Sequence, residues 1–177
     1  ISDTVNYNII QAHDVSSPEF NQQLSLLYDL NKDKIQSIAL YDMDGELLGA
    51  EPVTLQKEGI EVSRQSWFEN AKEKIENMHV STPHMQDLFQ DDAKRYHWVI
   101  SLSRAVEVID GDSPENGILL VDMKYSFIEE MMDQINDRSR GRYYYLCDRE
   151  GKLIYHPYAN EISNGLFQEY SVLASCS

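Results

Sequence analysis

The chain has 177 residues, enough for one complete domain and the start of another. Its 30 Asp and Glu against 15 Lys and Arg leave a net charge of -15, which argues against binding to a phosphate backbone and against docking on an anionic lipid surface. A hydrophobic share of 42% permits a buried core, while no uncharged stretch approaches the ~20 apolar residues of a membrane-spanning helix.

The chain starts without Met and inside a helical pattern, so we expect a piece of a longer protein. Residues 1–34 read as a helical arm. Ser17 followed by Pro18 is a cap with proline at the first helical position, and Phe20, Leu24 and Leu27 mark one face, with Val5 and Ile9 extending the pattern upstream. "IQSIALYDMDGELLGAEPV" then reads as two strands around a turn in which Asp44 and Gly45 tolerate the required backbone angles. Residues 66–78 predict a helix with Ser66 and Glu69 as a capping box and Trp67, Ala71, Ile75 and Met78 on one face. A Pro-containing turn, "STPHMQDL", carries His84 and Asp87.

"YHWVISLSRAVEVI" is a strand whose faces differ: Tyr96, Trp98, Ile100, Leu102, Val106 and Val108 on one side, His97, Val99, Ser101, Ser103 and Ala105 on the other. The second, mostly small or polar face suits a pocket wall. The turn formers of residues 110–117 lead into the buried-strand pattern "ILLVDM", and a helix follows over 125–136 with Phe127, Met131 and Ile135 four apart, beside Ile128 and Met132. That stripe reads as core packing. "YLCDREGKLIYHP" then repeats the hairpin pattern of residues 40–51, with Gly45 and Gly151 in step.

Cys147 and Cys176 are too few for a disulfide scaffold and have no metal spacing. His13, His79, His84, His97 and His156 show no paired spacing either, so neither metal nor cofactor is expected.

Asp42 and Asp44 admit a catalytic reading. An apolar strand ending in Asp-x-Asp-Gly resembles the opening of haloacid-dehalogenase phosphatases, where the first Asp attacks phosphorus and the second is acid and base with magnesium. Against it, "ELLGAE" continues as a returning strand rather than a helix, and Asp148-Arg149-Glu150-Gly151 keeps the turn without the Asp pair.

The order of elements, carried by "IQSIALYDMDGELLGAE", "SRQSWFENAKE", "WVISLSRAV", "GILLVDMKYSFIEEMMDQI" and "GRYYYLCDREGKLIYHP", resembles the double Cache sensor domains found outside the membrane in bacterial histidine kinases and chemoreceptors. The resemblance implies an α+β fold: an N-terminal helical arm (1–34), a PAS-like antiparallel sheet flanked by helices as the membrane-distal copy (35–136), and the start of a truncated proximal copy (137–177). It implies a non-catalytic, extracytoplasmic sensing domain of a membrane-anchored receptor, a histidine kinase by preference, forming a homodimer and binding a small molecule rather than nucleic acid. In amino-acid-binding members an Arg before a Trp-aromatic pair holds the ligand carboxylate, and an Asp ending the last distal strand holds its amine. Trp67, Phe68 and Asp122 match, whereas Gln65 stands at the arginine position with Arg64 one residue earlier, a shift that turns a side chain to the opposite face of a continuous strand. His84 lies where further ligand contacts fall.

The expected ligand set is therefore Arg64, Trp67, Phe68, His84, Ser101, Ser103 and Asp122. Plainer roles compete: Trp67 as core, Asp122 as cap of the next helix. A sensor copy that binds no ligand and serves as a dimer scaffold is the third functional alternative.

Overall fold

A computed structural model describes residues 14–52, 56–90, 95–111, 113–136, 142–148 and 151–159. Val5, Ile9 and Cys176 lie outside them. The described residues up to Lys124 belong to one compact unit and those from Tyr125 onward to a second.

The first unit begins with α1 (Pro18–Asn31). Ser17 caps it by accepting from the Phe20 amide at 3.2 Å, with Pro18 in the first turn, where no amide partner is needed. A six-stranded antiparallel sheet follows: β1 (Ile35–Asp42), β2 (Leu47–Glu51), the short β3 (His79–Val80) and β4 (His84–Met85), and the long β5 (Trp98–Asp110) and β6 (Ser113–Lys124). Its order is β2-β1-β6-β5-β3, with β4 also on β5. The predicted turn over 110–117 is much tighter, because pairing continues to Asp110↔Ser113 and Gly111, at φ +62°, makes the reversal. Pro114 is tolerated inside β6 because β1 pairs β6 only as far as Gly117.

Between β1 and β2 the chain turns on Asp42. Its Oδ1 accepts from the amides of Asp44 and Glu46, each at 2.8 Å, and Gly45 takes φ +92°. The same turn recurs in the second unit between β7 (Leu146–Cys147) and β8 (Leu153–Tyr155): Asp148 Oδ1 accepts from the Lys152 amide at 2.8 Å and Gly151 takes φ +83°. Asp42 is thus a structural turn acceptor, and β1 returns directly as antiparallel β2. This corrects the phosphatase alternative for Asp42 and Asp44, since the carboxylate meant to attack phosphorus is engaged with its own backbone.

The second unit also contains α3 (Tyr125–Ile135), whose buried residues are Ile128 and Met132. Tyr125 donates to the Ile154 carbonyl at 3.2 Å and Tyr155 donates to Asp133 at 2.7 Å, tying α3 to β8. The expected boundary at 136 falls after α3, whereas the units divide at Lys124/Tyr125.

Because side chains alternate along β1, its two faces take different helices. α1 packs on the side of Leu40 and Gly49, where Phe20 and Leu24 are buried. On the side of Ala39 and Tyr41, α2 (Ser66–Glu73) brings Phe68 and Ala71 into a cluster with Val62, Leu88, Phe89, Ala105, Ile118 and Leu120. α2 is shorter than the predicted 66–78 helix and its cap is Gln65, which makes no side-chain cap bond. The Ser66/Glu69 capping box is therefore corrected: Ser66 already lies inside the helix. Ile75 is half exposed beyond the helix end, and the buried face runs through Phe68 and Ala71 rather than Trp67 and Ile75.

Gly49 measures how closely α1 approaches the sheet. A Cβ there would stand 2.8 Å from Phe20 Cε1 and 3.3 Å from Leu24 Cδ2, and both side chains are buried. Gly49→Ala is expected to destabilise the chain by about 1–3 kcal/mol through overpacking. Thermal unfolding checks this, and an unchanged midpoint would mean that α1 yields without loss.

Candidate functional site

Three neighbouring strands place small polar groups in one row, because Ser37 on β1 and Ser101 on β5 are both register partners of Asp122 on β6. Ser37 donates to Asp122 Oδ2 at 2.8 Å and Ser101 donates to Oδ1 at 2.5 Å. Asp122 is only 2% exposed. Burial pushes its carboxyl above the ordinary carboxylate range; the Ser101 and Ser37 hydroxyls and nearby His84 pull it down, and Asp87 adds to the rise. Both oxygens are engaged with these serines, so the carboxylate serves the sheet row rather than capping α3.

The segment between β3 and β4 closes over this row. Val80 pairs with Leu102 and His84 with Val99, so four residues on this side span three on β5. The extra residue lies in the Ser81-Thr82-Pro83 connection, which breaks the edge into two short strands and resets the direction of the side chains that follow. It brings His84 Nε2 to 3.2 Å from Ser101 Oγ. The other ring nitrogen, Nδ1, lies 2.9 Å from the Thr82 carbonyl oxygen, which can only accept, and 3.2 Å from Ser81 Oγ, whose own proton goes to that same carbonyl, so the contacts assign a proton to Nδ1. Ser81 Oγ accepts from the Ser101 amide at 2.8 Å and donates to the Thr82 carbonyl at 3.0 Å, which fixes the loop to β5.

A cavity of about 240 Å³ opens here, lined by Trp67 and Ser66 of α2, Gln65 before it, His84 and Gln86 across it, and Asp122 and Ser101 in its floor. Ser81, Thr82, Asp87 and Leu88 complete the wall. Among the described residues the wall contains no lysine or arginine. Next to it, Tyr41 is fully buried; burial, then the charge of Asp122, pushes its phenol above the ordinary value, and its hydroxyl has no hydrogen-bond partner among the described residues.

Of the residues expected from sequence, Trp67, His84, Ser101 and Asp122 meet at this cavity. Trp67 does two jobs, lining the wall while packing its ring 5.6 Å from Tyr41 and 5.7 Å from Phe68. Phe68, Ser103 and Arg64 are not brought to the wall. Phe68 is fully buried in the core cluster, because one step along α2 from Trp67 turns it toward the sheet. Ser103 is buried and donates to the Trp67 carbonyl at 2.9 Å, anchoring the first turn of α2. Arg64 sits on a single 3-10 turn (Val62–Arg64), largely exposed and paired with Glu61 at 2.7 Å. Gln65, at the position where the family pattern has arginine, does line the cavity. Sequence reasoning missed Ser37, Ser81 and Gln86. Ser37 had one signal, a small hydroxyl inside an otherwise apolar strand.

A polar cavity between α2 and an antiparallel sheet, floored by a buried carboxyl, has the form of a small-molecule pocket. The Cache domain family model matches residues 4–173, and the chain belongs to that family. Among solved structures, the ligand-binding domain of the Pseudomonas aeruginosa PAO1 amino acid chemoreceptor PctB, in complex with L-Gln, has a TM-score of 0.61 at 19% identity, covering 90% of this chain and 65% of that one. The corresponding domain of PctC, in complex with GABA, gives 0.57 at 18% identity, covering 89% and 63%. The ligand-binding domain of the Campylobacter jejuni chemoreceptor Tlp3, in complex with 4-methylisoleucine, gives 0.54 at 14%, covering 97% and 63%. The chain thus spans less than two thirds of the length of each. A comparison with curated proteins gives no match.

Proposed function

We propose that this chain is the extracytoplasmic ligand-sensing part of a transmembrane signal-transduction receptor, with a two-component histidine kinase as the parent protein and no catalysis in the domain itself. In this reading the sheet domain is the membrane-distal sensor copy, the residues beyond α3 begin a proximal copy, and the parent is membrane-anchored and dimeric. The observation that carries it is Asp122, a buried carboxyl held by Ser37 and Ser101 in the floor of a polar cavity whose described lining holds no lysine or arginine.

The wall favours a ligand class. With Arg64 outside and two carboxylates present, Asp122 and Asp87, the cavity suits a small cation or a neutral donor-rich molecule, such as an amine, rather than an anion. Its volume lies below the ~300–1,000 Å³ of sites for drug-sized ligands, which fits a metabolite. The net charge of -15 would draw a cation toward it. Binding would shift the receptor only through a difference in affinity between two states.

A thermal-shift screen against amines, amino acids, carboxylates, purines and sugars tests this. A specific ligand at ~100 times its Kd adds about 2.7 kcal/mol, raising the midpoint by roughly 5–10 °C. Amines are expected to score and carboxylates to fail. No response to any compound would favour a ligand-free scaffold instead.

A further inference from the structure

We propose that Asp122, Ser101 and His84 form a chain that stores one exchangeable proton, so that this chain of three side chains switches between net neutral and minus one with pH, beside the separate carboxylate of Asp87. The geometry sets the proton count. His84 Nε2, Ser101 Oγ and Asp122 Oδ1 stand in line at 3.2 and 2.5 Å, and two hydrogen bonds between three heavy atoms need two protons. Ser101 supplies one. His84 Nδ1 keeps its own proton on the Thr82 carbonyl at 2.9 Å, so the second must come from one end.

Two arrangements satisfy the chain. In one, an imidazolium donates to Ser101 and Ser101 donates to the carboxylate; in the other, a protonated Asp122 donates to Ser101 and Ser101 donates to neutral His84. Each carries the same total charge, and they interconvert by moving two protons along the line. Removing one proton leaves a net charge of minus one and sets two lone pairs against each other at one of the two contacts.

The ionisable groups around Asp122 support a site that holds this proton. Tyr41 faces it from β1, and His84 and Asp87 from the segment over the cavity. β5 and α2 contribute Ser101, Ser66 and Trp67, which do not ionise here, and β3 carries His79 opposite Ser103. Burial and Asp87 both favour the protonated state. On the reading given under Proposed function, a cationic ligand competes with this proton, and its affinity rises by up to about tenfold per pH unit until the proton is gone.

The test uses the ligand-free chain, so it stands apart from the ligand screen. NMR follows the Asp122 side-chain carboxyl carbon from about pH 4 to 9. The expected result is an Asp122 midpoint that moves by at least about one unit in Ser101→Ala, because the hydroxyl that links it to His84 is gone. An unmoved midpoint, or an Asp122 carboxyl charged throughout, would overturn the proposal. Should Ser101→Ala not fold, His84→Gln is read instead. It must move the Asp122 midpoint by at least about one unit, and an unmoved midpoint counts against the chain.

Discussion

Phe68→Ala is expected to lower the thermal midpoint by roughly 6–20 °C, the size-scaled equivalent of about 3–5 kcal/mol for truncating a buried phenylalanine. Phe68 is fully buried, and it joins α2 to Tyr41, Leu88 and Ile118 in one apolar cluster. The truncation removes transfer energy and leaves a cavity that neighbours on β-strands cannot collapse to fill. Loss of α2 packing would also loosen the wall formed by Ser66 and Trp67. The measurement is thermal unfolding without ligand. A shift below ~3 °C would mean that Phe68 is not held in the core, and its role as a ligand platform would regain weight.

Asp122→Asn is expected to abolish stabilisation by any cationic ligand, the full ~2.7 kcal/mol at 100 times Kd, while making the ligand-free chain more stable at neutral pH by about 0.5–2 kcal/mol. The sign follows from linkage. Burial raises the Asp122 carboxyl above its unfolded value, so on raising pH the unfolded chain releases this proton first. Below the ordinary carboxylate range both states are protonated and Asp122 imposes no charge penalty. As pH rises through the window to the raised value, the folded state binds the extra proton, and stability falls until that proton is lost too. Asparagine keeps an acceptor for one serine and a donor for the other without a charge, so its advantage should be absent in acid and complete above the window. Midpoints measured across pH read this directly. A variant less stable than the parent at neutral pH would show that Ser37, Ser101 and His84 more than offset the buried charge.

The elements legible in the sequence are those whose cause is local. Ser17 and Pro18 start α1 because a hydroxyl and a missing amide act within one turn. Asp42 with Gly45 and Asp148 with Gly151 form the same turn because each carboxylate reaches only its own backbone. The 66–78 helix was overextended for the complementary reason. Periodicity continues to Met78, yet α2 stops at Glu73, since residues beyond it have no sheet surface to cover.

Half of the candidate site was similarly legible. Strand alternation puts Ser101 on the small, polar face of β5, and the position of Asp122 at the end of a buried strand marks it as exceptional. The pattern sets Gln65 at the arginine position and Arg64 a residue earlier, and the structure puts a short 3-10 turn ending at Arg64 where a continuous strand is assumed, with Gln65 at the cavity and Arg64 paired with Glu61.

The sequence by itself determined an acidic α+β chain, its two Asp-Gly hairpins, its capped first helix and the strands that carry Ser101 and Asp122. Only the tertiary structure decided that Ser37 and Ser101 converge on Asp122, that the break between β3 and β4 brings His84 to Ser101, and that Phe68 rather than Trp67 fills the core. Turns and caps are set by atoms a few residues apart. The site is set by the register between strands more than eighty residues apart in sequence, as the Ser37–Asp122 separation of 85 shows, and register follows from burial of the whole sheet.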